Sequence, residues 1–348
     1  SIPYSWRWPL SDVSELLRIA LDIRRLNKEI AALASVRPEV AILYSTTSII
    51  QIAPQLMRAT STPYLDELRR VYEGSLYLDA DTTFISENQI LKGMAPQYKV
   101  ILIPTAKHLP SEVVNQLLEY VKGGGHLVVS PESFMTDQYL RPLDFLNQIG
   151  IRIRKNSASP DYNVGALEQQ YDQTLRQSMV SSHTVKSEIT TLPGGEFGEA
   201  SFKLSGEGIL QTLEIGDRNT ELARFPDGRP AIVRHTLGGG RIYYLAIPLD
   251  PQSYSRLLDR LFEHAGISRP VRFTDSADRR IWKVECRSLR QDSDWLLYLI
   301  NHGERPEMVK VALPVKPQSL KDLRRGGSMA PYDLISLAPG ETRLIRAD

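Results

Sequence analysis

Cysteine is almost absent: Cys286 is the one cysteine in 348 residues. That excludes an intrachain disulfide and a thiolate metal cluster, and it fits a reducing, cytoplasmic setting. Charge of one sign is lacking too. Lys plus Arg is 42 and Asp plus Glu is 41, a net charge of +1, so there is no electrostatic footprint for nucleic acid or an anionic membrane, and neither is an expected partner. No apolar run approaches the ~18 residues that span a bilayer. The opening stretch SIPYSWRWPLSDVSEL lacks the basic start and apolar core of a signal peptide and has no initiator methionine, so the chain is expected to begin inside a longer gene product.

Catalytic signals are equally sparse. No G-x-S-x-G occurs, and His108, His126, His183, His235, His264 and His302 are scattered without an H-x-x-x-H pair. No metal site and no cofactor is expected. Cys286 sits in the alternating stretch KVECRSL, where a packed thiol outweighs a nucleophile because no strand-to-helix elbow or helix start precedes it.

What is present is ordered patterning. Hydrophobic residues make up 42% and charged residues 24%, and the length calls for two or three domains. Residues 11–34 place Val13, Leu16, Leu17, Ala20, Ile23, Leu26, Ile30 and Leu33 at helical steps, with Ser11 or Asp12 as the cap. RPEV then breaks the helix. From VAILYS at 40–45 onward, strands alternate with helices. YKVILIP at 98–104 and HLVVS at 126–130 bracket a helix over PSEVVNQLLEYVKGGG, with Ser111 as its cap. This rhythm predicts an α/β domain with a mostly parallel, helix-flanked sheet. After residue 270, short alternating strands without helices predict a small antiparallel β-sandwich. The division expected is 1–38, a helical segment; 39–270, the α/β domain with an irregular insertion near 155–225; and 271–348, the sandwich.

YVKGGGHLVVSPES at 120–133 poses a choice between a phosphate loop and a helix stop. A phosphate loop needs its glycines after a strand and before a helix, and here the order is reversed. Gly123 to Gly125 are therefore read as a helix C-cap. LGGGR at 237–241 falls between two β runs and reads as a turn. Ligand candidates remain at the carboxyl ends of the strands, where open α/β sheets bind small molecules: Ser45, Thr105, Glu132 and Ser133. For Glu132 the alternative is a helix N-cap neighbour. Asp79, Asp81, Glu87 and Asp250 are read as solvated loop-edge carboxylates.

RPEVAILYS, YLDELRRVYEGSLYLDADTTFISENQIL, YKVILIPTAKHLPSEVVNQLLEYVKGGGHLVVSPES, GRPAIVRHTLGGGRIYYLAIPLD and the closing LAPGETRLIRAD resemble the C-terminal two-thirds of bacterial β-galactosidases of glycoside hydrolase family 42. The resemblance implies the end of a TIM barrel at residues 1–38 and a trimerisation domain with a flavodoxin- or glutamine-amidotransferase-like fold, followed by a β-sandwich. It also implies a homo-oligomer, with a trimer favoured, whose carbohydrate substrate is handled by a catalytic barrel outside this chain. Retaining glycosidases need two carboxylates about 5 Å apart, and in the family these come from barrel strand ends. An amidotransferase needs a nucleophilic cysteine where this chain reads Thr105-Ala106-Lys107-His108. No residue here is therefore expected to be catalytic. The expected function is a non-catalytic assembly portion of a β-galactosidase-like hydrolase; the alternative is a self-standing α/β protein that binds a sugar or other small ligand, with hydrolase activity from unidentified residues.

Overall fold

The computed structural model describes residues 10–51, 63–156, 185–330 and 334–348. Its contacts divide the chain into two compact units, one of Pro38–Ser268 and one of Ser1–Arg37 with Arg269–Asp348. Among the described residues no helix is long and apolar enough to cross a membrane.

The chain opens with α1 (Leu10–Arg25) and α2 (Asn27–Ala34), followed by β1 (Val40–Tyr44), α3 (Thr46–Ile50), α4 (Pro63–Leu76), β2 (Thr82–Ser86), α5 (Glu87–Leu91), β3 (Val100–Ile103), α6 (Ser111–Lys122) and β4 (His126–Val129). Next come α7 (Phe145–Gln148), β5 (Ile151–Asn156), β6 (Val185–Thr191), β7 (Lys203–Gly208), β8 (Gln211–Ile215), β9 (Asn219–Arg224), β10 (Pro230–Leu237), β11 (Gly240–Leu245) and α8 (Pro251–His264). Nine of these strands form one sheet in the order β2-β1-β3-β4-β11-β10-β9-β6-β7. The run from β2 to β11 is parallel, and from β11 to β7 every ladder is antiparallel.

Burial explains the parallel half. Val40 to Leu43, Val100 to Ile103 and Leu127 to Val129 are all buried, because helices cover both faces and leave no solvated side to alternate with. Helix α6 buries Val113, Val114, Leu117, Leu118 and Val121. Helix α8 buries Leu257, Leu258, Leu261 and Phe262 and meets α4 at Gly74, where a Cβ would lie 2.4 Å from Tyr254 Cβ. Asp250 caps α8, accepting from the Ser253 N–H at 2.8 Å, so it is a structural carboxylate and not a solvated one. Ser111 is the first residue of α6 and not its cap; Pro110 holds that position without a side-chain bond.

The described part of the stretch expected to be an irregular insertion carries regular strands. Residues 185–225 supply β6, β7 and β9 to the sheet, while β8 pairs with β5 in a two-stranded ribbon. Turn-rich polar segments disguised them, since each strand buries only two of its residues, alternate ones in β6 and β7 and adjacent ones in β9. Residues 157–184 of that stretch lie outside the described residues.

The two glycine triplets meet. Gly124 adopts φ +109° and Gly238 φ +60°, and the two turns press backbone against backbone. A Cβ on Gly240 would lie 2.1 Å from the Gly125 carbonyl oxygen and 2.3 Å from that of Val121, and one on Gly238 would lie 2.5 Å from that of Lys122. The Gly239 N–H donates to the Lys122 carbonyl at 3.0 Å. The end of α6 is thus capped by the β10–β11 turn, and no anion is needed to account for either triplet.

In the second unit, α1 and α2 join β12 (Arg272–Thr274), β13 (Val284–Gln291), β14 (Asp294–Asn301), β15 (Glu307–Ala312), β16 (Leu320–Asp322), β17 (Ser328–Met329), β18 (Ile335–Leu337) and β19 (Thr342–Ala347). These strands form antiparallel sheets, β12-β15-β18 and β13-β14-β19-β16-β17. Phe273, Val309, Ile335 and Leu337 of the first share a core with Cys286, Leu297, Leu299 and Ile345 of the second, which places Cys286 as a packed thiol. Asn301, fully buried, donates from Nδ2 to the Leu337 carbonyl at 3.1 Å and stitches the sheets together.

The N-terminal helical segment is not a zone of its own. Leu26 packs with Leu296 and Leu344, Asp22 pairs with Arg324 at 2.9 Å and Glu29 with Arg346 at 3.1 Å. The single helix expected over 11–34 is interrupted at Leu26, the residue that enters this contact.

Candidate functional site

The carboxyl ends of β1, β3 and β4 lie side by side, and all four residues expected there are buried: Ser45 and Ser133 at 0%, Glu132 at 3% and Thr105 at 6% exposure. They divide into two groups.

Ser45 belongs to the first. Its hydroxyl accepts from the Ser48 N–H at 2.9 Å, capping α3, and donates to Glu87 Oε1 at 2.6 Å. Glu87 also accepts from the Thr47 N–H at 3.1 Å and the Thr47 hydroxyl at 2.7 Å. The Ser45 N–H donates to the Tyr64 hydroxyl at 2.7 Å, and that hydroxyl donates to the Leu43 carbonyl at 3.0 Å. Ser45 is therefore consumed by structure, and Glu87 is an anchor of the β1 turn rather than a solvated acid.

Thr105, Glu132 and Ser133 form the second group. The backbone is left-handed at Thr105 (φ 38°), Glu132 (φ 61°) and Phe134 (φ 60°), conformations that cost free energy outside glycine and cluster at functional sites. Ser133 clamps the two turns: its hydroxyl accepts from the Ala106 N–H at 3.1 Å, while the Phe134 N–H donates to the Ala106 carbonyl at 2.9 Å. A turn, not a helix, follows β4, so Glu132 is no N-cap neighbour. Its Oε1 accepts from Asn156 Nδ2 at 2.8 Å and lies 3.9 Å from Lys107 Nζ. His108, beside the turn, shares a 2.6 Å bond between Nδ1 and Thr136 Oγ1. Burial, aided by the Lys107 charge, lowers its pKa to about 4, which keeps the ring neutral near pH 7.

Three residues that complete the second group were not among those expected. Asn156 and Gln211 face each other across the β5–β8 ladder, and the Tyr244 hydroxyl donates to Gln211 Oε1 at 2.7 Å while facing the Glu132 backbone. They come from three strands, two of them in the stretch read as irregular. No spacing in the sequence links them; only the pairing register does.

Two further buried acids are structural. Glu67 on α4 accepts from Ser130 Oγ at 2.6 Å and from the Tyr254 hydroxyl, and Arg70 stands 3.9 Å away. Burial dominates there and raises the Glu67 pKa despite those partners. Glu196 is also buried, which alone would raise its pKa, yet the Arg234 guanidinium at 2.7 Å outweighs this and the net shift is downward. Among the described residues no group of three His, Cys, Asp or Glu could hold a metal.

Comparison with known proteins adds the family. The model of the β-galactosidase trimerisation domain matches residues 38–268. The β-galactosidase Bga of Halorubrum lacusprofundi is 24% identical over 180 residues, which are 51% of this chain and 24% of that protein. Among solved structures, the β-galactosidase of Rahnella sp. R3 superposes with a TM-score of 0.65 at 16% identity, over 89% of this chain and 41% of its own. The Bacillus circulans sp. alkalophilus β-galactosidase gives 0.63 at 16% identity, over 90% of this chain and 42% of its own. These structures share the fold, and this chain spans less than half of each relative's length. Since the matched stretch covers one entire compact unit, Pro38–Ser268, the chain belongs to the β-galactosidase trimerisation domain family.

Proposed function

We propose that this chain is the non-catalytic assembly portion of a β-galactosidase-like glycoside hydrolase, associating as a homotrimer, with the carbohydrate substrate handled by a barrel elsewhere in the parent polypeptide. The observation that carries this reading is that the family match and the compact α/β unit share the same limits, residues 38 and 268. In this reading the helix-flanked sheet is the amidotransferase-like layer and the two antiparallel sheets with a common core are the sandwich. A cytoplasmic location fits a lone cysteine packed in that core. Among the described residues, four of the six buried acids support catalytic silence: Glu67 is held by hydroxyls, Glu196 by Arg234, Asp137 by Arg141 at 2.6 Å and Asp322 by Arg343 at 2.5 Å.

The edge of the sheet supports association. Strand β2 is an outer strand, and Ile42 pairs with Phe84 and Tyr44 with Ser86 in the β1–β2 register, so Tyr44 and Phe84 share a face. Both rings are about two-fifths exposed, and Ile50 just beyond is 70% exposed. Open edges carrying apolar side chains favour pairing with another chain, here a second copy.

Sedimentation velocity on the wild type and Phe84→Glu tests this. The variant is expected to shift toward monomer at tens of micromolar while keeping its circular dichroism spectrum, and identical sedimentation would remove this edge from the interface. The purified chain should hydrolyse o-nitrophenyl β-galactoside no faster than buffer. Turnover that Glu132→Gln abolishes in a folded protein would refute the non-catalytic reading.

A further inference from the structure

We propose that Tyr139 and Leu140 form a rigid knob that docks against a neighbouring copy of this chain. The inference rests on the assembly reading and deepens it by naming a second surface of the subunit interface.

The knob is the tip of a hairpin that follows β4. Its base is fixed: Thr136 bridges both His108 and Pro142, and the rings of Phe134 and Phe145 meet in the core with centroids 4.1 Å apart. Its tip is organised by one buried carboxylate. Asp137 accepts at Oδ1 from the Tyr139 N–H at 2.8 Å and the Arg141 N–H at 2.9 Å, and at Oδ2 from Arg141 Nε at 2.6 Å. The Asp137 N–H donates to the Arg141 carbonyl at 2.8 Å and closes the turn. The guanidinium held in this way stands 5.0 Å from the centroid of the Tyr139 ring, so the ring is braced as well.

What this scaffold presents to solvent is apolar. Tyr139 is 69% and Leu140 56% exposed, and the backbone at Leu140 is left-handed, with φ 63°. Glycine or asparagine takes that conformation at little cost, whereas leucine is strained in it. Lodging a leucine there and leaving its side chain in water gains the turn nothing. A preformed tyrosine beside an arginine is the composition that anchors protein interfaces, because little freedom is left to lose on docking.

The family match and the neighbouring surface identify the occupant. Residues 38–268 match a trimerisation domain, so a second copy is the partner this unit meets. Gln51 Nε2 donates to the Gln138 carbonyl at 2.7 Å, which joins the knob to the end of α3, where Ile50 continues the exposed patch of Tyr44 and Phe84. That patch is too small by itself. Three partly exposed side chains offer on the order of 300 Å², against about 800 Å² per partner in a stable interface. Tyr139 and Leu140 extend it. In a cyclic trimer the contacts are heterologous, so the knob meets a different surface of the next copy and not its own counterpart.

Sedimentation equilibrium over a dilution series of the 348-residue chain tests the knob. Tyr139→Ala and Leu140→Gly should each move dissociation to about tenfold higher concentration. Leu140→Gly separates docking from folding, since glycine accepts the left-handed backbone; its circular dichroism spectrum and its urea midpoint, measured on the dissociated protein, should match the wild type. Assembly that weakens only together with a lowered urea midpoint would make the role structural and overturn the proposal. Variants that dissociate at the wild-type concentration would also overturn it, leaving the knob to meet another part of the parent polypeptide, while the assembly reading stands. A wild-type chain that is monomeric at every concentration would overturn both.

Discussion

Gly240→Val is expected to unfold the 38–268 unit or to destabilise it by about 3 kcal/mol or more. The first atom of any side chain at this position would stand 2.1 Å from the Gly125 carbonyl oxygen and 2.3 Å from that of Val121. Both obstacles are backbone. One closes α6 and the other leads into β4, so relief requires moving a helix end or a central strand rather than rotating a side chain. Gly240 begins β11, which pairs with β4 on one side and β10 on the other, and a shift there propagates into the middle of the sheet. Gly216→Ala is the control. Its Cβ would lie 3.5 Å from the Gly150 carbonyl, an ordinary contact, and the change should stay within about 1 kcal/mol. Urea unfolding followed by far-ultraviolet circular dichroism measures both. A Gly240→Val protein as stable as the wild type would mean that the glycine triplets do not meet.

Glu67→Ala should cost about 3 kcal/mol, because it opens a cavity under α4 and removes the acceptor that the buried Ser130 and Tyr254 hydroxyls share, leaving them only each other. Glu67→Gln keeps an acceptor and separates charge from shape. The folded-state pKa of Glu67 lies above its ordinary value of 4.5 because burial penalises the carboxylate more than Ser130, Tyr254 and Arg70 favour it. The folded state therefore holds this proton more tightly than the unfolded chain. The stabilisation that follows is fully present below pH 4.5 and is lost as pH rises through the folded-state value. Glu67→Gln does not titrate, so its stability relative to wild type should improve as pH is raised from about 4 to 8. A difference between the two proteins that is flat with pH, or that runs the other way, would show that Glu67 is charged in the fold with no penalty.

Periodicity carried much of the fold. Unbroken apolar runs such as VILI at 100–103 identify a strand buried on both faces, the helical steps of Val114, Leu117, Leu118 and Val121 identify a helix buried on one, and the order of helix, glycines and strand excluded a phosphate loop. Periodicity was weaker at β6, β7 and β9, which bury only two residues each and lie among glycine-rich turns that imitate irregular chain. It could not show why Gly238 and Gly240 must be glycine, since the reason is a contact with backbone over a hundred positions away. The candidate site divides along the same line. Thr105, Glu132 and Ser133 are legible as strand ends; Ser45 is legible but already engaged by Ser48 and Glu87. Asn156, Gln211 and Tyr244 meet only through the β5–β8 register and the placement of β11, which no local pattern encodes.

The central claim is that this chain is built to assemble, and absolute molar mass measures that directly. Multi-angle light scattering on the chain eluting at tens of micromolar should give three times the 39.3 kDa of a single copy. A mass of 39.3 kDa that stays constant as the loading concentration is raised would contradict it.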